Sequence, residues 1–148
     1  PPVIIGGGAK RILGIAGRHA DIVSINFNNS AGKIGPEGVG SGTSAGTLQK
    51  LEWIKAGAGD RFSEIEIEIA AYFTVVTDHS DVVANEFAKL FNLSSSEILD
   101  HPHCLIGQTS EIIERIQQRR EEFGINYITF GGAAIDDVAP IVEALSGT

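Results

Sequence analysis

Short β-branched apolar runs alternate with stretches of helical spacing along this chain, and that alternation restricts the fold more than any single motif. Val3–Ile5 precedes a face made of Ile12, Ile15, Ala16 and His19, and Ala20–Phe27 precedes Leu48, Leu51 and Ile54. The segment FSEIEIEIAAYFTVV precedes Val83, Phe87, Leu90 and Phe91, and INYITFGG precedes a last helix that reaches Leu145. Apolar residues at every second position mark strands, and those at intervals of three and four mark helices. Strand and helix in regular succession return the chain to the same edge of a sheet each time, so the strands are parallel and the helices cover them. The class is α/β, with strand and helix expected four times over. All the strand-to-helix bends then lie at the carboxyl end of the sheet, where α/β proteins place their sites.

Local signals set the boundaries. Asp78 or Ser80 can cap the helix before Val83, and Ser94 with Glu97 has capping-box spacing. Thr109 can cap SEIIERIQQRREEF, Gly124 ends it, and Asp136 or Asp137 with Pro140 opens the final helix. Residues 28–46, rich in glycine and serine, are expected to form a long flexible loop from which no core is built. The 148 residues otherwise suit one domain, 1–148. A formal charge of −8 speaks against nucleic acid as the main partner, because phosphate backbones call for a basic surface. No apolar run of about 18 residues and no signal-peptide pattern occurs, so no membrane partner is expected. The single Cys104 excludes an internal disulfide and suits a reducing compartment, which places the protein in the cytoplasm. The lack of methionine and a start at Pro1 inside a strand pattern fit a piece of something longer.

The first bend carries the strongest functional signal. Gly6, Gly7 and Gly8 remove every Cβ from the corner, and Lys10 and Arg11 follow on the first helical turn. A helix dipole favours negative charge at that end, so two cations there imply an anion beside them. Amides at a helix start point outward unpaired, and glycine lets a phosphate approach them. The plainer alternative is a tight left-handed turn with two solvated cations. A dinucleotide fingerprint fits poorly, since Arg11 stands where its third glycine belongs and Asp21 opens the second strand instead of closing it.

Three stretches, PPVIIGGGAKRILGIAGRHADIVSIN, GDRFSEIEIEIAAYFTVVTD and HPHCLIGQTSEIIERIQQRREEFGINYITF, resemble the C-terminal half of the luciferase-like monooxygenase superfamily. The likeness is greatest to its coenzyme F-420-dependent oxidoreductases and runs through nearly the whole chain except the Gly/Ser-rich loop. Those proteins are TIM-type (β/α)8 barrels of about twice this length, so the resemblance implies half a barrel, about four β/α units. It further implies that Gly6, Gly7, Gly8, Lys10 and Arg11 hold the phosphate of a deazaflavin, coenzyme F-420, with FMN as the alternative. The implied reaction is hydride transfer with a small organic substrate, or a monooxygenation if FMN is the cofactor. Groups that contact ring and substrate lie mostly in the family's N-terminal half, so no catalytic residue is assigned.

Other constellations carry less. His101, His103 and Cys104 in HPHC are possible zinc ligands, but no second cluster completes a four-ligand set, the matching family segment is a connector, and no metal is expected. Cys104 reads as a small buried thiol, and His19 and His79 as surface or cap residues. Glu64, Glu66 and Glu68 read as an exposed strand edge that repels strand addition, in preference to paired catalytic carboxylates. Gly131 and Gly132, at the end of the last strand, keep a phosphate-binding barrel isomerase or lyase in view. Another alternative is a half-barrel without activity of its own, whose raw edges are covered by the absent half or by a second copy, so association is expected.

Overall fold

A computed structural model describes residues 1–30 and 32–148, so the part of the Gly/Ser-rich loop at Ala31 lies outside the described residues. The order is β1 (Ile4–Gly7), α1 (Lys10–His19), β2 (Ile22–Ile25), α2 (Pro36–Gly40), α3 (Ser44–Ala58), a 3₁₀ turn (Gly59–Glu64) and β3 (Glu66–Ala71). Then come β4 (Phe73–Val76), α4 (Ser80–Phe91), α5 (Ser95–Leu99), β5 (Cys104–Gly107), α6 (Thr109–Phe123), β6 (Ile125–Phe130) and α7 (Ile135–Leu145). Every strand pairing is parallel, as the alternation requires.

The sheet departs from the expected run of four strands in two places. The apolar run after Ile65 is not one strand: the amide of Tyr72 turns back to the carbonyl of Ala70 at 3.0 Å, and β3 and β4 separate there. CLIG, to which the sequence reading assigns no element, is the strand β5, too short to show alternation and buried at all four positions. Five stretches of strand therefore lead into helices, where four were expected. The strands form a four-stranded sheet β1-β2-β3-β6 and a separate pair β4-β5. Among the described residues they do not close into a barrel.

The Gly/Ser-rich stretch also needs correction. Pro36 opens α2, Val39 is fully buried, and Thr43 caps α3 by accepting from the amide of Gly46. Part of 28–46 is thus helix and core, because single apolar and capping residues suffice where a neighbouring surface waits to be covered. The Ser94–Glu97 capping box and the stop at Gly124 are as read. The last helix starts earlier than its acidic pair suggests and carries Pro140 inside it.

The alternation decides where the core sits. Val23, Ile25, Ile67, Ile69 and Ile125 face Leu13 and Ala16 of α1 and Leu51 and Ile54 of α3. α1 and α3 come close because a Cβ at Gly57 would strike the backbone of Gly14. A second cluster joins Phe27 and Val39 to α4, α5, Cys104 and Ile106, and a third joins Leu105 and Ala71 to α6 and α7. Residues in register with the intervening positions, Gly6, Ser24, Glu68 and Tyr127, share the opposite face of the four-stranded sheet. Among the described residues no helix is long and apolar enough to cross a membrane.

Candidate functional site

The carboxyl end of β1 turns directly into α1. No residue of Gly6–Gly8 has a left-handed φ, so the corner is not the left-handed turn that its glycines allow. Its glycines serve close approach instead: a Cβ on Gly8 would run into the carbonyl of Phe27, and one on Gly7 into the side chain of Ile12. Two of the three glycines are thereby accounted for by the chain's own packing. Gly6 is different, since it is exposed and its absent Cβ would point toward Asn26 and Ser24.

The start of α1 has the character that the sequence suggests. Its N-cap, Ala9, offers no side-chain bond, and no acidic residue occupies the first turn. Lys10 and Arg11 are exposed and, among the described residues, enter no ion pair. α4, α5, α6 and α7 each carry an acid in that turn, and Thr43 caps α3. The first turn of α1 therefore stands apart in carrying two cations, no acid and no side-chain cap. Lys10 and Arg11 also line a groove between α1 and α3 together with Arg18 and Trp53, so their long side chains lie on the flank of the helix as well as near its tip.

The rival bend at Gly131–Gly132 is less receptive. The amide of Gly131 already donates to the carbonyl of Ala71 at 2.9 Å, and Asp136 and Asp137 sit on the first turn of α7. An anion would meet repulsion there.

A polar row crosses the sheet beside Gly6, and the sequence reading did not assemble it. Asn26 donates through Nδ2 to Ser24 Oγ at 3.3 Å, and the Tyr72 hydroxyl donates to Asn26 Oδ1 at 2.6 Å. Glu68 is next to Ser24 in register, only 4% exposed, and its Oε2 has no hydrogen-bond partner among the described residues. The expectation of an exposed acidic edge is thus corrected: β3 lies between β2 and β6, and of the three glutamates only Glu64 and Glu66 are exposed. Burial raises the pKa of the Tyr72 phenol, and the charge of Glu68 adds to the rise. A glutamate inside an isoleucine run that turns continuously apolar was the signal available, masked by the like-charged Glu64 and Glu66.

Beneath the row lies a buried basic knot. Lys50, from α3, donates to the carbonyl of Asn26 at 2.8 Å, and desolvation pulls its pKa down to about 8. His101 Nδ1 accepts from the amide of His103, so Nε2 carries the proton and donates to the Val39 carbonyl at 2.9 Å. His103 faces the Ala70 carbonyl with Nδ1 at 2.8 Å, which fixes the proton on that nitrogen and leaves the buried Nε2 without a partner among the described residues. Desolvation lowers His101 to about 4 and His103 to about 3, despite those carbonyl bonds. Arg119 donates to the carbonyls of His101, Pro102 and Cys104 and ties the segment down. Burial pushes the Cys104 thiol up to about 12, which makes it a poor nucleophile. HPHC is a structural knot, and among the described residues no group of three or more ligand-type side chains is placed for a metal ion.

No family profile and no characterised protein matches this chain in sequence. In structure it is similar to the coenzyme F-420-dependent tetrahydromethanopterin reductase of Methanopyrus kandleri, with a TM-score of 0.63 and 14% identity over 97% of this chain and 49% of that one. An F-420-dependent secondary alcohol dehydrogenase, solved with an F-420–acetone adduct, gives 0.60 and 17% over 97% and 48%. A long-chain alkane monooxygenase gives 0.56 and 15% over 98% and 39%. The chain spans about half the length of the first two. At these identities the likeness is one of fold, and the resemblance read in the sequence agrees with it.

Proposed function

We propose that this chain is the C-terminal half of a luciferase-like oxidoreductase that uses a deazaflavin, coenzyme F-420, with FMN as the alternative cofactor. Gly6, Gly7, Gly8, Lys10 and Arg11 would hold the cofactor's phosphate, the amides of the α1 first turn donating and the two cations neutralising it. When bound, the cofactor supplies the hydride chemistry, to or from a small organic substrate. The chain's part is to fix the phosphate, leave Gly6 open to a ligand, and present Ser24, Asn26 and Tyr72 along the sheet. The observation that carries the reading is the first turn of α1, uncapped, free of acids and bearing two cations that are unpaired among the described residues, at the carboxyl end of a parallel sheet.

Fluorescence titration of the 148-residue chain with coenzyme F-420 and with FMN tests it. Binding of either is expected, with Lys10→Ala and Arg11→Ala together weakening it about tenfold or more, as loss of two charge-assisted contacts implies. Failure of both cofactors to bind the chain refutes the assignment of the phosphate to the α1 corner, and binding of a phosphorylated sugar in their place would favour the isomerase or lyase alternative.

A second reading has its own support. The outer edges of β1 and β6 are unpaired among the described residues, and Ile4 and Tyr127 are exposed beside them. An open parallel edge with apolar residues on it is covered in stable proteins, so the active form would include a further half or a second copy.

A further inference from the structure

Glu68 is the member of the polar row that the packing of the chain does not explain. Its Oε2 is out of contact with solvent and, among the described residues, unpaired, a costly state for a carboxylate oxygen. The Tyr72 hydroxyl is committed to Asn26, and Asn26 Nδ2 to Ser24. By register Glu68 lies two strands from Gly6, about 10 Å at roughly 4.8 Å per strand. α1, with its uncapped amides and two cations, begins just beyond Gly7.

The two ends of the row differ in kind. Donors and positive charge stand at the β1 end, and a lone acceptor bearing negative charge stands on β3. A ligand that satisfies both carries a phosphate and, somewhat more than about 10 Å from it, an N–H donor on a flat body covering Ser24. Flavins and deazaflavins have one such imide N–H, between two ring carbonyls. We infer that Glu68 Oε2 is the acceptor for the ring imide N–H of the phosphate-bearing cofactor, so that Glu68 orients the ring and selects cofactors in which that nitrogen is free. This rests on the cofactor reading above and names the residue at its other end.

The test uses the cofactor that binds, FMN or coenzyme F-420, and the same compound methylated at the imide nitrogen. Each is titrated by fluorescence into the chain and into Glu68→Leu and Glu68→Gln. In the unaltered chain methylation is expected to weaken binding about 10- to 100-fold, the worth of a hydrogen bond to a charged group. In Glu68→Leu the two compounds should bind equally, and in Glu68→Gln, which keeps a carbonyl acceptor, the loss should be intermediate. Competition by inorganic phosphate, which reads the α1 end alone, should be the same in all three. If methylation costs the unaltered chain and Glu68→Leu the same, the assignment of Glu68 is overturned while the cofactor reading stands. If neither parent cofactor binds the unaltered chain, both fall. Should Glu68→Leu not fold, the near-isosteric Glu68→Gln decides: a loss on methylation equal to that of the unaltered chain overturns the assignment.

Discussion

Replacing Lys50 by methionine should change how stability depends on pH. Lys50 is 2% exposed, and among the described residues its ammonium has one hydrogen bond, to the Asn26 carbonyl. Burial lowers its pKa from 10.5 to about 8, so the folded protein releases this proton more readily than the unfolded chain. Between those values the unfolded state binds more protons, and stability rises with pH. Below pH 8 both states are protonated, and the charge burdens the fold by its full amount, about 3 kcal/mol for a shift of this size. Integrating over a single site, the unaltered protein should gain about 1.3 kcal/mol from pH 7 to pH 9 and about 2.5 kcal/mol by pH 10, relative to a variant without the amine. Lys50→Met removes that gain and leaves the Asn26 carbonyl unpaired, a loss of about 1–3 kcal/mol, so near pH 7 the two effects roughly cancel. Urea unfolding of both proteins at pH 7, 8, 9 and 10 measures the difference. Cys104 titrates in the opposite sense over the same range, but it is common to both proteins and drops out of the comparison. A difference that stays flat within about 0.5 kcal/mol from pH 7 to pH 10 would refute the reasoning.

Two more changes test the corner and the knot. Gly8→Ala forces a Cβ against the Phe27 backbone and should cost about 1–3 kcal/mol, whereas Gly6→Ala, opposite only the side chains of Asn26 and Ser24, should cost under about 1 kcal/mol while weakening the cofactor; thermal unfolding and the fluorescence titration report the two effects. His103 is held neutral when folded and protonates when unfolded below about pH 6.5, so stability falls as pH drops from there toward 3. His103→Phe should reduce the slope of stability against pH near pH 5 by about 1.4 kcal/mol per pH unit, and an unchanged slope would show that the ring is protonated in the folded state.

The parts of this fold that the sequence displays are those decided by neighbours along the chain. Strand and helix alternate in hydrophobic period, and the period of Ile65, Ile67 and Ile69 is the period of the face they bury. Capping residues act over three positions, so Ser94–Glu97 is visible before any fold is known. What remains hidden depends on contacts far apart in sequence. β5 becomes a strand by pairing with β4, 31 positions earlier in the register Phe73 to Cys104, and its four residues carry no period of their own. Glu68 resembles Glu66 until β6 is placed beside β3, because burial of a side chain is a property of the sheet. The corner was legible as glycines and cations, but the reason for Gly7 and Gly8 was not, since Ile12 and Phe27 close on them only in three dimensions.

Asn26 joins the two halves of the site. Its carbonyl holds Lys50 from below, its amide nitrogen holds Ser24, and its amide oxygen takes the Tyr72 hydroxyl. The segment that offers metal ligands by composition is the wall of this arrangement: His103 fixes the Ala70 carbonyl next to Tyr72, His101 fixes Val39, and Arg119 fixes three carbonyls of the segment itself. Polar side chains buried in this way are tolerated because almost every donor has a carbonyl to meet. A change at Lys50 therefore reaches the row through one shared residue. Glu68 stands outside that mutual satisfaction, and an unpaired acceptor oxygen beside a row whose Tyr72 and Asn26 donors are already committed is where a ligand gains most by supplying a donor.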